Sequence, residues 1–370
     1  MNILIVAAGD AEKTTTWSGV PNHFVRELRQ EGNVVKCIDL SRVRYIVPIR
    51  VLFNRVIRKT LRWLRWIPFE VTKLGIWLTH FWLVRQIRQF DDTDVIFCFN
   101  FCIDATGIVK PVVLIHDWTN GYMQELFHCR KMTFFEKMGD INQFRAMRTA
   151  RKVVCLYPKA AEYIRNYVGE SVHYYCNPVN VERVMDFSER VKKGVLSKHV
   201  LLIGGTTYLG NVVCAIKAAE KSGVPGIVVD IVGATPLDLS SVKVRVKCHG
   251  YLNKDNKEDS DKYYSLIENS RCLINVRRGW GGGSSIAEAL YCGLPVIVGD
   301  YPDIIGMYGS DESFGYYCKQ EDVAALASTI KKMFDISDEQ YIRMCQSAVM
   351  KTKSCTYKNL IANILSDIEQ

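Results

Sequence analysis

The chain has 370 residues, 48% apolar and 24% charged, with a net charge of +9, which excludes a disordered or fibrous protein and fits a globular one. That length exceeds one ordinary core, so two domains of roughly 150–200 residues are expected. The 13 cysteines are odd in number and form no Cys-x-x-Cys pair, which reads as reduced, mostly buried thiols of a cytoplasmic protein and not as a disulfide scaffold or a zinc site.

The opening MNILIVAAGD lacks the basic start of a secretory leader and reads as a buried strand over Ile3–Ala8. In the next segment Val20, Phe24, Val25 and Leu28 recur at helical spacing, with Gly32 as the stop, before a second strand NVVKCIDL. Strand, small-residue loop, helix, strand is a βαβ unit and predicts a parallel sheet. Its Ser18-Gly19-Val20 turn belongs at the carboxyl end of the strand, where open α/β sheets bind ligands.

Residues 42–88 break this rhythm with eleven Lys/Arg, one acid (Glu70) and four tryptophans (Trp63, Trp66, Trp77, Trp82). Charges and Pro68 interrupt every window long enough to span a bilayer. Val51, Arg55, Arg58, Arg62 and Arg65 fall near one helical face, and Leu52, Val56, Trp63 and Trp66 near another. Three roles fit: an interfacial segment on anionic lipid, core helices with a solvated basic face, or a nucleic-acid site. The density of tryptophan favours the lipid headgroup belt, with Arg55, Arg58, Arg62, Trp63, Arg65 and Trp66 as its contacts.

The α/β pattern then resumes. DVIFCFNF (94–101) and PVVLIHDW (111–118) are apolar runs of strand length, as a sheet buried on both faces requires. The second ends in His116, which the topology sets at the functional edge of the sheet; a capping or core histidine is the alternative. KVVCLYP (152–158) predicts a further strand, Lys159 to about Val168 a helix, and the Asn-Pro of YYCNPVN a linker. From His199 a second βαβ series begins with HVLLIGG, closed by Gly204 and Gly205. It continues through GIVVDIVGA, VKVRVKCHGYL, YYSLIENS and RCLINVRR.

RRGWGGGSSIAEALYCGLPVIVGD (277–300) follows that last strand. Gly281, Gly282 and Gly283 let the backbone come close to a ligand before a helix that starts near Ser284. Ser284 and Ser285 can cap it, and its first N–H groups suit a phosphate. Glu288, one turn in, can accept hydrogen bonds from a ribose diol. Such an acid beside a phosphate seat suggests a nucleotide sugar; a glycine turn with an exposed glutamate is the plainer alternative.

On these residues the chain resembles the retaining glycosyltransferases of family 4. SSIAEALYCGLPVIVGD is similar to that family's LLEAMACGTPVIA pattern and NPVN to its linker; the likeness is strongest over 195–330. YLNKDNKEDSDKYYSLIENSRCLINVRR and DESFGYYCKQEDVAALASTIKKMF resemble the base-binding and post-donor segments. The resemblance implies a GT-B fold: α/β, two Rossmann-like domains facing across a cleft, with the C-terminal helix returning toward the first domain. It implies an acceptor domain over 1–180 with the basic insert 42–90, a nucleotide-sugar domain over 195–345 and C-terminal helices over 346–370.

The same resemblance assigns Glu288 to the donor ribose and the backbone of Gly250, Tyr251 and Leu252 to the base. It assigns His116 to the transferred sugar and Ser18-Gly19 to the diphosphate, with Gly204 and Gly205 counted in the donor site. Two departures stand out. The family's first motif glutamate falls on Trp280, and its Arg and Lys diphosphate clamps fall near Gly205 and Leu209. Arg277 and Arg278 are the substitutes that remain.

The expected activity is therefore metal-independent glycosyl (hexosyl) transfer with retention, from a nucleotide sugar to a membrane-side acceptor such as a lipid-linked glycan or a lipopolysaccharide precursor. No cofactor and no nucleic-acid partner are expected, and the expected place is the inner face of the plasma membrane, bound peripherally. The alternatives are a nucleotide-sugar-binding protein without transferase activity and a different two-domain α/β enzyme, an epimerase or a phosphorylase.

Overall fold

The computed structural model describes residues 1–43, 46–60, 67–99, 102–181, 183, 185–233, 239–240, 242–277 and 283–369, with backbone only at 42, 46, 57–60 and 369. The chain forms two compact units, Met1–Pro178 with Tyr357–Gln370, and Val179–Thr356.

The first unit is built on β1 (Asn2–Ala7), β2 (Val34–Asp39), β3 (Val95–Phe99), β4 (Val112–His116), β5 (Lys152–Cys155) and β6 (Val172–Tyr174). They lie in the order β2-β1-β3-β4-β5-β6 with parallel pairing throughout. Ile3–Ala7, Val95–Phe99 and Val112–Ile115 are all buried, because helices cover both faces of such a sheet. The helices are α1 (Val20–Gln30), α2 (Ile46–Thr60), α3 (Lys73–Ile87), α4 (Asn120–Tyr122, passing into a π turn over Met123–Phe127), α5 (Phe134–Met147) and α6 (Pro158–Val168). The sheet order reverses between β1 and β3, which makes their carboxyl ends a switch point where a crevice opens.

The basic insert divides into two parts. Phe69, Val71, Ile76 and Leu83 are buried, and Val71, Ile76 and Leu83 join the core formed by Ile96, Leu114 and Phe144. Gly75 permits this fit, since a Cβ there would lie 2.1 Å from the Phe69 carbonyl oxygen. The outer faces keep Leu52 (64% exposed), Leu74 (50%), Trp77 (59%) and Phe81 (56%) in water. The reading of 42–88 as a wholly interfacial segment is thus corrected: α3 is a core helix on one side and an apolar surface on the other. Arg55 is exposed, whereas the side chain of Arg58 and residues Arg62, Trp63, Arg65 and Trp66 lie outside the described residues. No helix among the described residues is long and apolar enough to cross a membrane.

The second unit repeats the plan with β7 (His199–Gly204), β8 (Val228–Gly233), β9 (Arg245–Cys248), β10 (Cys272–Asn275), β11 (Val296–Gly299) and β12 (Gly315–Cys318), in the order β12-β11-β10-β7-β8-β9, again parallel. Its helices are α7 (Phe187–Leu196), α8 (Leu209–Lys221), α9 (Lys257–Glu268), α10 (Gly283–Tyr291), α11 (Pro302–Tyr308), α12 (Val323–Asp335) and α13 (Asp338–Thr352). The switch point lies between β7 and β10. The final helix α14 (Tyr357–Glu369) belongs to the first unit. The break before it falls at residues 353–356, later than the expected boundary at 346. Eleven cysteines are free; Cys176 and Cys355 are disulfide-bonded, which departs from the all-thiol expectation.

Candidate functional site

Each unit gathers functional groups at its own switch point. In the first unit, the loop after β1 turns into α1 through three successive residues in the left-handed region: Trp17 (φ 44°), Ser18 (φ 55°) and Gly19 (φ 84°). Gly19 takes this conformation freely, but Trp17 and Ser18 cost about 1–2 kcal/mol each. Tertiary contacts hold them there. The Trp17 indole N–H donates to Asp117 Oδ2 at 3.0 Å, and its ring packs edge-on against Phe99 (5.8 Å) and His116 (6.3 Å). The Thr16 hydroxyl donates to the Asp10 carbonyl at 2.5 Å.

His116 is the last residue of β4, as its place after an apolar run predicts, and Asp117 follows it. Together with Ala7, Trp17, Glu70, Phe99 and Trp118 they line a cavity of about 520 Å³. Burial pushes the Asp117 carboxyl up to about 7, against a downward pull from the Trp17 indole N–H. Trp118 is braced by Phe127 (5.2 Å) and Tyr157 (5.5 Å). Ser18 and Gly19 thus share a sheet end with His116, with Ser18 exposed and Gly19 buried. Sequence reading missed Trp17, Asp117 and Trp118; Asp117 and Trp118 adjoin His116 at the strand end, which was the available signal.

In the second unit, Gly204 ends β7, where a Cβ would lie 2.4 Å from the Tyr208 ring. Gly205 is exposed, and a Cβ there would meet nothing within 4 Å, so its backbone stays open to approach. Gly233 (φ +95°) carries the contact onward: a Cβ on it would lie 2.4 Å from the Gly204 carbonyl oxygen, and its N–H donates to the Gly250 carbonyl at 2.7 Å. Gly250 is left-handed (φ 68°), Tyr251 is exposed and Leu252 buried. Arg277, just past β10, lies 5.0 Å from the centre of the Tyr208 ring, and its carbonyl accepts the Tyr301 hydroxyl at 2.5 Å.

Helix α10 opens at Gly283, so Ser284 and Ser285 lie inside its first turn and not ahead of it. Both are half-buried. Glu288 is buried on this helix at 3% exposure. The plainer reading of an exposed glutamate is therefore excluded. Both carboxylate oxygens are engaged: Tyr263 donates its hydroxyl to Oε2 at 2.6 Å, and Lys254 Nζ donates to Oε1 at 2.9 Å. Lys254 also reaches the Asn180 carbonyl at 3.4 Å. Burial and the neighbouring Glu288 hold the Tyr263 phenol well above its ordinary range, so it remains a donor. A carboxylate oxygen has two lone pairs, so each still has capacity for a ligand hydroxyl. The sequence gave no sign of Lys254 and Tyr263 as partners, because they come from a loop and from α9. Arg278, Trp280, Gly281 and Gly282 lie outside the described residues.

Comparison with known proteins matches this architecture. The fold is the two-domain GT-B fold. A glycosyltransferase from Rickettsia africae aligns at TM-score 0.64 and 12% identity, over 100% of this chain and 97% of its own. The α,α-trehalose 6-phosphate synthase of Burkholderia multivorans aligns at 0.66 and 9%, over 100% and 98%. An Anabaena protein solved with UDP-glucose aligns at 0.61 and 14%, over 99% and 100%. Residues 189–348 match the family model described as Glycosyl transferases group 1, and this range falls wholly within the second unit. No curated protein matches the chain in sequence.

Proposed function

We propose that this protein transfers a sugar, with retention, from a nucleotide-sugar donor to an acceptor at a membrane surface. The carrying observation is that the Glycosyl transferases group 1 match covers the unit in which Arg277, the start of α10 and the buried Glu288 meet the carboxyl ends of β7 and β10. In this reading the base lies against Gly250–Leu252 and the ribose diol against Glu288. The diphosphate lies against Arg277, Ser284, Ser285 and the first N–H groups of α10, whose partial positive charge favours an anion. These groups neutralise leaving-group charge without a metal. His116 faces the transferred sugar, with Ser18 and Gly19 beside the diphosphate. The likeness to the Anabaena protein solved with UDP-glucose places UDP-sugars first among candidate donors.

The membrane part of the proposal rests on charge and surface. Eleven cations against one acid in residues 42–88 complement an anionic lipid surface, and Leu52, Leu74, Trp77 and Phe81 are the exposed apolar groups beside them. Peripheral binding at the inner face of the plasma membrane follows from this reading. The second reading, a nucleotide-sugar-binding protein without transferase activity, is favoured by Trp280 standing where the resemblance expects a glutamate. Turnover separates the two. Incubation with UDP-, GDP- and dTDP-sugars and a membrane extract should release free nucleotide and a glycosylated lipid-phase product. Tight nucleotide binding with no product from any donor would establish the second reading instead.

A further inference from the structure

The cavity of about 520 Å³ in the first unit has a chemistry that the donor site does not use. Its volume falls in the range of small-molecule sites, roughly 300–1,000 Å³. Two indoles line it, Trp17 and Trp118, and both are held rigid: Trp17 by Asp117 and Phe99, Trp118 by Phe127 and Tyr157. Two carboxyl side chains, Asp117 and Glu70, line it as well, and no lysine or arginine does so among the described residues. Arg50 sits on the outer side of Glu70, 3.5 Å away.

Rigid aromatic faces with hydrogen-bond acceptors beside them suit the C–H faces and hydroxyls of a sugar ring. The charge balance then decides which sugar. A phosphate or carboxylate brought into a partly desolvated cavity beside two acids meets like charge at low effective dielectric, with no cation to offset it. We propose that this cavity is the acceptor subsite and that it takes an uncharged sugar ring, excluding phosphorylated and uronic acid rings. The proposal rests on the glycosyl-transfer reading and adds to it the chemical class of the acceptor. A basic insert that draws the protein to anionic lipid and an acidic cavity that admits a neutral ring divide the work, the first concentrating the enzyme and the second selecting the group to be glycosylated.

The test is saturation-transfer NMR on the full chain without donor. The probes are methyl glucoside, methyl galactoside, methyl mannoside and methyl N-acetylglucosaminide, with glucose 6-phosphate and methyl glucuronide as the anionic set. At least one neutral glycoside should receive saturation at its ring protons, and the anionic probes should not. Trp118→Ala should weaken the neutral probe at least tenfold. Asp117→Asn keeps an oxygen to accept the Trp17 indole N–H and removes the charge, so binding of the anionic probes should emerge or rise at least tenfold. Glu70→Gln makes the same charge test from another element if Asp117→Asn fails to fold. Anionic probes binding the wild type as well as neutral ones would overturn the proposal. So would displacement of the neutral probe by saturating UDP-glucose, which would make the cavity the donor's own sugar subsite. Silence of the whole panel in a protein that still hydrolyses a nucleotide sugar would overturn the acceptor proposal and leave glycosyl transfer standing. Silence together with no hydrolysis of any donor would remove both.

Discussion

Asp117→Asn should make the first unit more stable at pH 8 and leave it nearly unchanged at pH 4.5. Burial raises the folded-state pKa of Asp117 from 3.8 to about 7. Between those values the folded chain holds a proton that the unfolded chain has released, so stability falls as pH rises. The contribution is fully present below about 4 and fully lost above about 7. At about 1.4 kcal/mol per pH unit, the interval corresponds to about 4 kcal/mol. The side chain keeps some contact with water, and screening reduces the expected effect to about 2–3 kcal/mol. Asparagine carries no such slope and still accepts the Trp17 indole N–H. Asp140, raised to about 6 by burial, adds a slope of the same sign to both proteins and cancels in the comparison. Urea unfolding followed by tryptophan fluorescence at pH 4.5, 6 and 8 reads the difference directly. A constant gap across the three pH values, or a variant less stable at pH 8, would refute the burial of a charge at this position.

Three further outcomes are expected. Glu288→Ala should weaken nucleotide binding by about 1–3 kcal/mol through lost charge-assisted hydrogen bonds, measured by calorimetry; Lys254, whose side chain is 26% exposed, can turn to water, so the unit should remain folded. His116→Ala should lower turnover far more than nucleotide affinity, because its partners lie in the first unit; an equal loss in both, or a collapse of the melting temperature, would make it a structural histidine. Binding to vesicles containing anionic lipid should weaken with salt, since exposed charges are screened over about 8–10 Å, and Trp77→Ser with Phe81→Ser should remove about 1–3 kcal/mol of the salt-resistant part; a wild type that ignores such vesicles at low salt ends the membrane reading.

The parallel strands were legible because sheets buried on both faces need unbroken apolar runs, and Val95–Phe99 and Val112–His116 are such runs. The glycine and helix boundaries around Gly283 and Glu288 were legible for a similar local reason. What escaped was set by distant partners. Nothing in TTWSG announces a left-handed tryptophan, a residue that resists that conformation; Asp117, 100 positions away, holds it there. The burial of Glu288 could not be read from SSIAEALY, because Lys254 and Tyr263 arrive from other elements. In the insert, the stretch Lys73–Ile87 is apolar on more than one face, so its periodicity did not say which face meets the core.

The most direct test of the account is a thermal-shift series with UDP-, GDP- and dTDP-sugars on the wild type and on Glu288→Ala. A ligand that binds only the folded state at one hundred times its Kd adds about 2.7 kcal/mol, which is roughly 5–10 °C for a unit of this size. The account predicts that one nucleotide class raises the melting temperature of the wild type by that amount and that Glu288→Ala loses most of the rise. No shift with any nucleotide sugar, or the same shift in both proteins, would contradict it.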